Sequence, residues 1–337
     1  MPWLSLILTL LSVSQSDFQM PHIQAIDFYG LRTVSEAQVR KALQIKEGDA
    51  PPESTLPAQL RVEAIDRVIH ARLNFVCCEK GKTTLYVGIQ EQDVPALEFR
   101  PAPTGTVRLP FDVLPAGDAF DKAFERAMEA GDHAEDQSEG HSLMHFSEVR
   151  AAQKKFIELA ALHPAILHDV LRNSASARQR ALAAQILGYA ADKRDVVADL
   201  IYGTRDPDDE VRNNSTRALW LIAKLAQRKP DLQIQVPASV FIDLLNSLVW
   251  TDRNKSSYAL LETTDKRDPA VLTEIRAKAL PSLVEMARWK AIGHAQPAIF
   301  LLGRIGGMSE DDIQAAIDRG DREAVISAGS KAGTSGR

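Results

Sequence analysis

The sequence predicts an α+β chain in two parts: a small βααββ domain, then an all-α superhelical solenoid. Three observations carry this. Apolar residues alternate with a period of two only before about residue 92. Beyond Ser147 they recur at three- and four-residue spacing, in segment after segment. Between the two lies a stretch with five prolines, Pro95, Pro101, Pro103, Pro110 and Pro115. The composition agrees with a folded chain. Of 337 residues, 45% are hydrophobic and 25% charged, which excludes collagen, a disulfide scaffold and a wholly disordered chain. With 40 Lys and Arg against 45 Asp and Glu, the net charge of −5 supplies no global field for nucleic acid or an anionic membrane. Two cysteines cannot build a disulfide framework or, alone, a structural zinc site.

Trp3 to Val13 is the most apolar run. It is shorter than the ~20 residues that span a bilayer. Small residues follow at Ser12, Ser14 and Ser16, then Asp17. Residues 1–16 therefore read as a secretory signal cut near Ser16, although no Lys or Arg precedes the apolar run; the alternative is a buried first element. Export implies a periplasmic or secreted protein without a membrane span in the mature chain.

Residues 17–92 form the first domain. Gln24–Tyr29 alternates, with Ile26 and Phe28 on one face, and stops at Gly30: a half-buried strand. Ser35-Glu36-Ala37-Gln38 fits a capping box that opens a helix. A second helix is expected from Pro57 to Arg72, because Leu60, Ala64, Ile65, Val68 and Ile69 fall at helical spacing. Asn74–Glu79 and Thr83–Gln90 read as strands around a Lys80-Gly81-Lys82 turn. Cys77 and Cys78 should point to opposite faces, one packed in the core and one an incidental thiol, or a partner for another chain if exported.

The element order, with I-D-F-Y-G-L-R-T-V-S, the Glu47-Gly48-Asp49 turn and the closing L-Y-V-G-I-Q-E, resembles a POTRA domain. POTRA domains are extracytoplasmic modules of outer-membrane assembly and secretion proteins. No series of barrel strands follows, so the chain does not read as a barrel assembly factor. The resemblance implies binding by strand addition along the Asn74–Glu79 edge, through Phe75, Val76, Cys77, Cys78 and Glu79. The alternative is an edge merely solvated and shielded by Glu79 and Lys80.

Residues 93–117 read as an extended, semi-rigid linker, since proline lacks the amide that helices and inner strands need. Residues 118–146 should hold a short amphipathic helix and a solvated acidic loop. His133, His141 and His145 lie there among Asp132, Glu135, Asp136 and Glu139. A helical stretch would put His141 and His145 on one face, a possible metal site, but no HExxH is present and Gly140 and Ser142 favour a loop.

Residues 147–325 form helix pairs. The segment from Ala177 to Gly188 is answered by Val211–Leu221, with Arg178 aligned to Arg212, and weaker copies follow Asp252 and His294. Partner helices fall at about Val196–Tyr202, Ser239–Val249, Pro269–Ala287 and Glu310–Asp318. Asp206-Pro207-Asp208-Asp209-Glu210-Val211-Arg212 resembles the opening of HEAT repeats. That resemblance implies that Asp206, Arg212 and Arg178 tie neighbouring repeats together, and that a concave wall of second helices binds proteins. Gly303-Arg304-Ile305-Gly306-Gly307 follows a helix, so it fails the context test for a dinucleotide loop, and no cofactor is expected. Residues 326–337 should be disordered.

The expected function is an exported, non-enzymatic adaptor that binds protein or peptide partners of the cell envelope through the sheet edge and the solenoid. The alternatives are a metal-dependent enzyme built on His133, His141 and His145, or, by fold analogy, a lyase like the HEAT-like enzymes that attach bilins.

Overall fold

The computed structural model describes residues 20–79 and 82–331. The expected export signal, the side chains of Cys78 and Glu79, and the tail beyond Lys331 lie outside what it describes. The first domain runs β1 (Ile23–Tyr29), α1 (Glu36–Leu43), α2 (Leu56–Glu63), β2 (Val68–Glu79) and β3 (Lys82–Glu91). β3 is central, parallel to β1 and antiparallel to β2. The capping box forms: Ser35 Oγ accepts from Gln38 N at 3.3 Å, and Ser35 N donates to Gln38 Oε1 at 2.9 Å.

The second helix stops at Glu63, nine residues before the sequence expectation. Arg67 adopts a left-handed φ of 73°, which breaks the helical path. Val68 is then buried while Ile69 is exposed, the alternation of a strand rather than a helical stripe. Pairing with β3 overrides a spacing that fits both periods.

β3 is buried on both faces from Thr83 to Ile89. Leu85, Val87 and Ile89 pack against Val39, Leu43, Ala58 and Val62. Tyr86 points the other way, into the helical core.

That core is built from α4 (Ser147–Leu162), α5 (Pro164–Asn173), α6 (Ala177–Leu187), α7 (Lys193–Gly203), α8 (Asp209–Arg228), α9 (Ser239–Leu244), α10 (Trp250–Thr263), α11 (Pro269–Ala287), α12 (Ile292–Ile305), α13 (Glu310–Asp318) and α14 (Arg322–Lys331). α6 packs on α8, α8 on α10, α10 on α12 and α12 on α14, as a solenoid stacks. Small residues permit the approach: a Cβ on Gly188 would lie 2.9 Å from Ala218 Cβ.

α14 corrects the expectation of disorder from residue 326. Val325 and Ile326 are buried, and Gly329 lies so close to α12 that a Cβ there would sit 2.6 Å from the Leu302 carbonyl oxygen. The small residues that look like a solvated tail are the ones that let a closing helix dock.

The proline-rich segment is not a spacer. It runs as a strap along the turns that precede α6 and α8. Arg100 N donates to Arg205 O at 2.8 Å, Ala175 N to Gly105 O at 2.8 Å, and Leu109 N to Gln179 Oε1 at 2.7 Å. Proline suits this path because its missing amide needs no partner along an irregular surface. The strap leads into α3 (Val113–Glu129), which starts five residues before the expected Asp118. The acidic loop is a short hairpin, β4 (Glu135–Asp136) with β5 (Leu143–Met144), turned by Gly140 at φ 71°.

At the far end of the strap the sheet itself docks. Tyr29 Oη donates to Leu248 O at 2.8 Å, and Tyr86 stacks on Trp250 with ring centres 5.1 Å apart. No helix of the described residues is long and apolar enough to cross a membrane.

Candidate functional site

The arginines and acids between repeats come first, because they define the scaffold around the cleft. Four arginines stand four residues after a helix cap: Arg150, Arg180, Arg212 and Arg253. Each donates to the carbonyl six residues earlier, of Met144, Ser174, Asp206 and Ser247 respectively. Three then reach an acid further along the chain, two of them in the next pair and, for Arg253, one on α11, the partner helix of its own pair. Arg180 grips Asp206 with two bonds, at 2.9 and 2.8 Å; Arg212 Nε donates to Asp252 at 2.9 Å; Arg253 Nη1 donates to Glu285 at 3.0 Å. Arg180, Arg212, Asp206 and Asp252 are all buried.

The register corrects the sequence alignment by two residues. Arg178 is exposed and bonds Asp118, while Arg180 holds the place in the series that Arg212 holds in the next repeat. Counted from the caps Ser176 and Asp208, the helices are offset by two residues less than an alignment that matches Ala184 to Ala218, and two residues turn a helix by about 200°. The strap and the sheet cover the series: the ring centre of Phe99, from the strap, lies 3.9 Å from the Arg212 guanidinium, and that of Tyr29, from β1, lies 4.5 Å from that of Arg253.

A cleft of about 490 Å³ lies between α3 with the hairpin on one side and α4, α6, α8 and α10 on the other. The wall thus belongs to the first helices of the pairs, not to the second helices as expected from sequence. The strap sets this, because it carries α3 across that side. α3 contributes Asp121, Phe124 and Met128, and α8 contributes Glu210, Asn213, Asn214, Arg217 and Leu221. Both sets follow the spacing of a single helical face.

Charge is separated along the cleft. Asp121, midway along α3, and Glu210, in the first turn of α8, stand together at one end. Burial raises the pKa of both, and their neighbouring carboxylates, Asp118 for Asp121 and Asp208 for Glu210, add to it. Arg217, Glu135 and Lys255 stand at the other end. Arg217 bonds Glu135, whose carboxyl stays low because this pairing outweighs its burial. Lys255 is half-buried and has no hydrogen bond or ion pair among the described residues. Burial, then the charge of Arg217, brings its amine down to about 8.

His133 and His141 line the cleft, and His145 is exposed outside it. Among the described residues no three His, Cys, Asp or Glu side chains are placed to hold a metal ion. The hairpin separates the residues that a helix would have put on one face. Burial and the adjacent Lys193 push His141 down to about 4; its Nδ1 lies 3.2 Å from Lys193 Nζ.

On the sheet, β2 is an outer strand, bonded to β3 alone. Phe75 packs into the small-domain core and Val76 toward the helical core. Cys77 is disulfide-bonded and no cysteine is free among the described residues, which corrects the expectation of an incidental thiol. The register of β2 on β3 shifts between Val76 and Glu79.

The geometry describes a helical repeat protein clasped along one edge by its own amino-terminal domain. No protein-family model matches the chain, and no curated protein does. Among solved structures, it is similar to a designed armadillo repeat protein at 14% identity, over 55% of this chain and 93% of that one, with a TM-score of 0.34. A second designed armadillo protein, in complex with the peptide (KR)4, shares 14% identity over 56% and 94% of the two chains, with a TM-score of 0.34. A third, computationally designed for modular peptide recognition, shares 15% over 55% and 92%, with a TM-score of 0.35. The repeat assignment here rests on the stacked helices and the arginine series.

Proposed function

We propose that this chain is an exported, non-catalytic repeat scaffold that holds a peptide segment of a protein partner in the cleft between α3 and α8. The observation that carries it is the cleft's make-up. Apolar side chains of Phe124, Met128 and Leu221 lie between two sets of opposite, incompletely matched charges. A peptide offers side chains and charges at matching intervals, and burying them displaces water from the apolar wall. The apolar run Trp3–Val13 with the small residues after it suits export to the cell envelope.

The βααββ unit serves as a POTRA-like module. Its β2 edge, at Phe75, Val76, Cys77, Cys78 and Glu79, is a second surface on which an extended segment adds a strand.

Leu221→Asp tests the first surface, since it places a charge on the apolar wall. On an array of random peptides the wild-type chain selects a motif and the variant does not. A variant that retains the same motif removes the cleft from the proposal. Sequencing the amino terminus of the protein from a native host checks export; the expected start is near Asp17, and an intact Met1 ends that part.

A further inference from the structure

Resting on the peptide-cleft reading, we propose that the cleft takes the carboxyl-terminal end of a peptide. Its free carboxylate sits on Lys255, and a basic side chain about three residues earlier sits between Asp121 and Glu210.

Three observations lead there. First, the charges at the Lys255 end do not balance. Glu135 is spent on Arg217, with Gln137 and Ser142 also bonded to it, which leaves Lys255 as an uncompensated cation in a half-buried place. A ligand anion within reach restores neutrality, and because Lys255 is already half-buried the pairing has mainly the anion's own desolvation to offset.

Second, that end is closed to a continuing chain. The hairpin covers α8 from Arg217 onward. Arg228 Nη2 donates to Gln137 O at 2.8 Å, Lys229 pairs with Glu139 at 3.3 Å, and a Cβ on Gly140 would lie 2.8 Å from Leu225. A peptide that reaches Lys255 meets this hairpin, so a terminal carboxylate fits where the side chain of a longer segment would force the chain to turn out.

Third, the spacing suits a short extended peptide. Glu210 and Arg217 are seven residues apart on one helix, about 10 Å at ~1.5 Å per residue. An extended chain covers that in about three residues at ~3.3 Å each. Asp121 sits beside Glu210 across the cleft, so two carboxylates with no cation bonded to either among the described residues face the earlier residue of the ligand.

The test uses the full chain and two tetrapeptide libraries with all positions randomised. One library carries a free carboxyl terminus and the other a terminal amide. Bound peptides are read by affinity-selection mass spectrometry, and the best is resynthesised for calorimetry. Free acids with Lys or Arg at the first position are expected to be retained, and amides lost by at least tenfold. Lys255→Met is expected to erase the preference for the free acid, Lys255→Arg to restore most of it, and Asp121→Asn with Glu210→Gln to erase the preference for a basic residue. Near-ultraviolet circular dichroism confirms that each variant folds. If acids and amides bind equally and Lys255→Met changes nothing, the carboxylate assignment is overturned while the peptide cleft stands. If neither library is retained, the cleft reading fails and this inference with it.

Discussion

Arg212 shows how a single side chain holds two repeats. Its guanidinium is fully enclosed, bonded to Asp206 O, Pro207 O and the Asp252 carboxylate, and roofed by Phe99. Replacing it with Met leaves Asp252 buried without its cation, and burial already raises that carboxyl. The expected loss is about 3–5 kcal/mol, read by urea denaturation. Removing both charges, as Arg212→Met with Asp252→Leu, recovers a large part of it. Arg178→Ala, on an exposed pair, leaves the midpoint nearly unchanged.

Glu91 provides a residue-scale pH signature. Its carboxylate accepts from the backbone of Arg32, Thr33 and Val34 and from Thr33 Oγ1, and these bonds outweigh its burial and hold it at about 2 against an ordinary 4.5. A depressed folded pKa stabilises above the unfolded value and is lost on acidification. Stability should therefore fall as pH drops from about 4.5 to about 2. Glu91→Gln should flatten that part of the profile in urea titrations at several pH values.

At the scale of elements, α14 and the strap decide what is buried. Val325 and Ile326 each contribute about 1.5–3 kcal/mol by leaving water, so a chain ended after Gly320 should unfold at clearly lower urea than the full chain. An unchanged midpoint would return α14 to the status of an ornament. Several helices are legible from spacing alone: Ser147–Leu162, Pro269–Ala287 and Glu310–Asp318 form where the apolar stripe and the flanking turns put them. β2 and α14 are not. Val68–Arg72 fits a helix and a strand equally, and only its register with β3 chooses. Ala328 and Gly329 look like a tail until α12 is beside them.

For the whole molecule, the sheet and the solenoid act as one body. β3 approaches the turn before α10 so closely that a Cβ on Gly88 would lie 2.6 Å from Leu248 O and 2.7 Å from the Tyr29 ring. Gly88→Ala should lift the sheet from the helices and free the strap. Limited proteolysis is then expected to cut between residues 93 and 110, where the wild-type chain resists. Equal resistance in the variant would mean the strap holds without the sheet. This arrangement replaces two modules on a spacer, because the linker's backbone bonds are spent on the solenoid.

The sequence by itself determined the local grammar: a capping box at Ser35, a period of two before residue 92, a period near 3.6 after Ser147, and arginines spaced to recur in a stack. These depend on neighbours in the chain, which periodicity reads directly. Only the tertiary structure decided which arginine enters the buried series, which wall faces the cleft, and that Lys255, Glu135 and Asp121 line one space. Lys255 lies more than a hundred positions beyond Asp121 and Glu135, and no local spacing records which turns a strap will cross or which charge will be left without a partner.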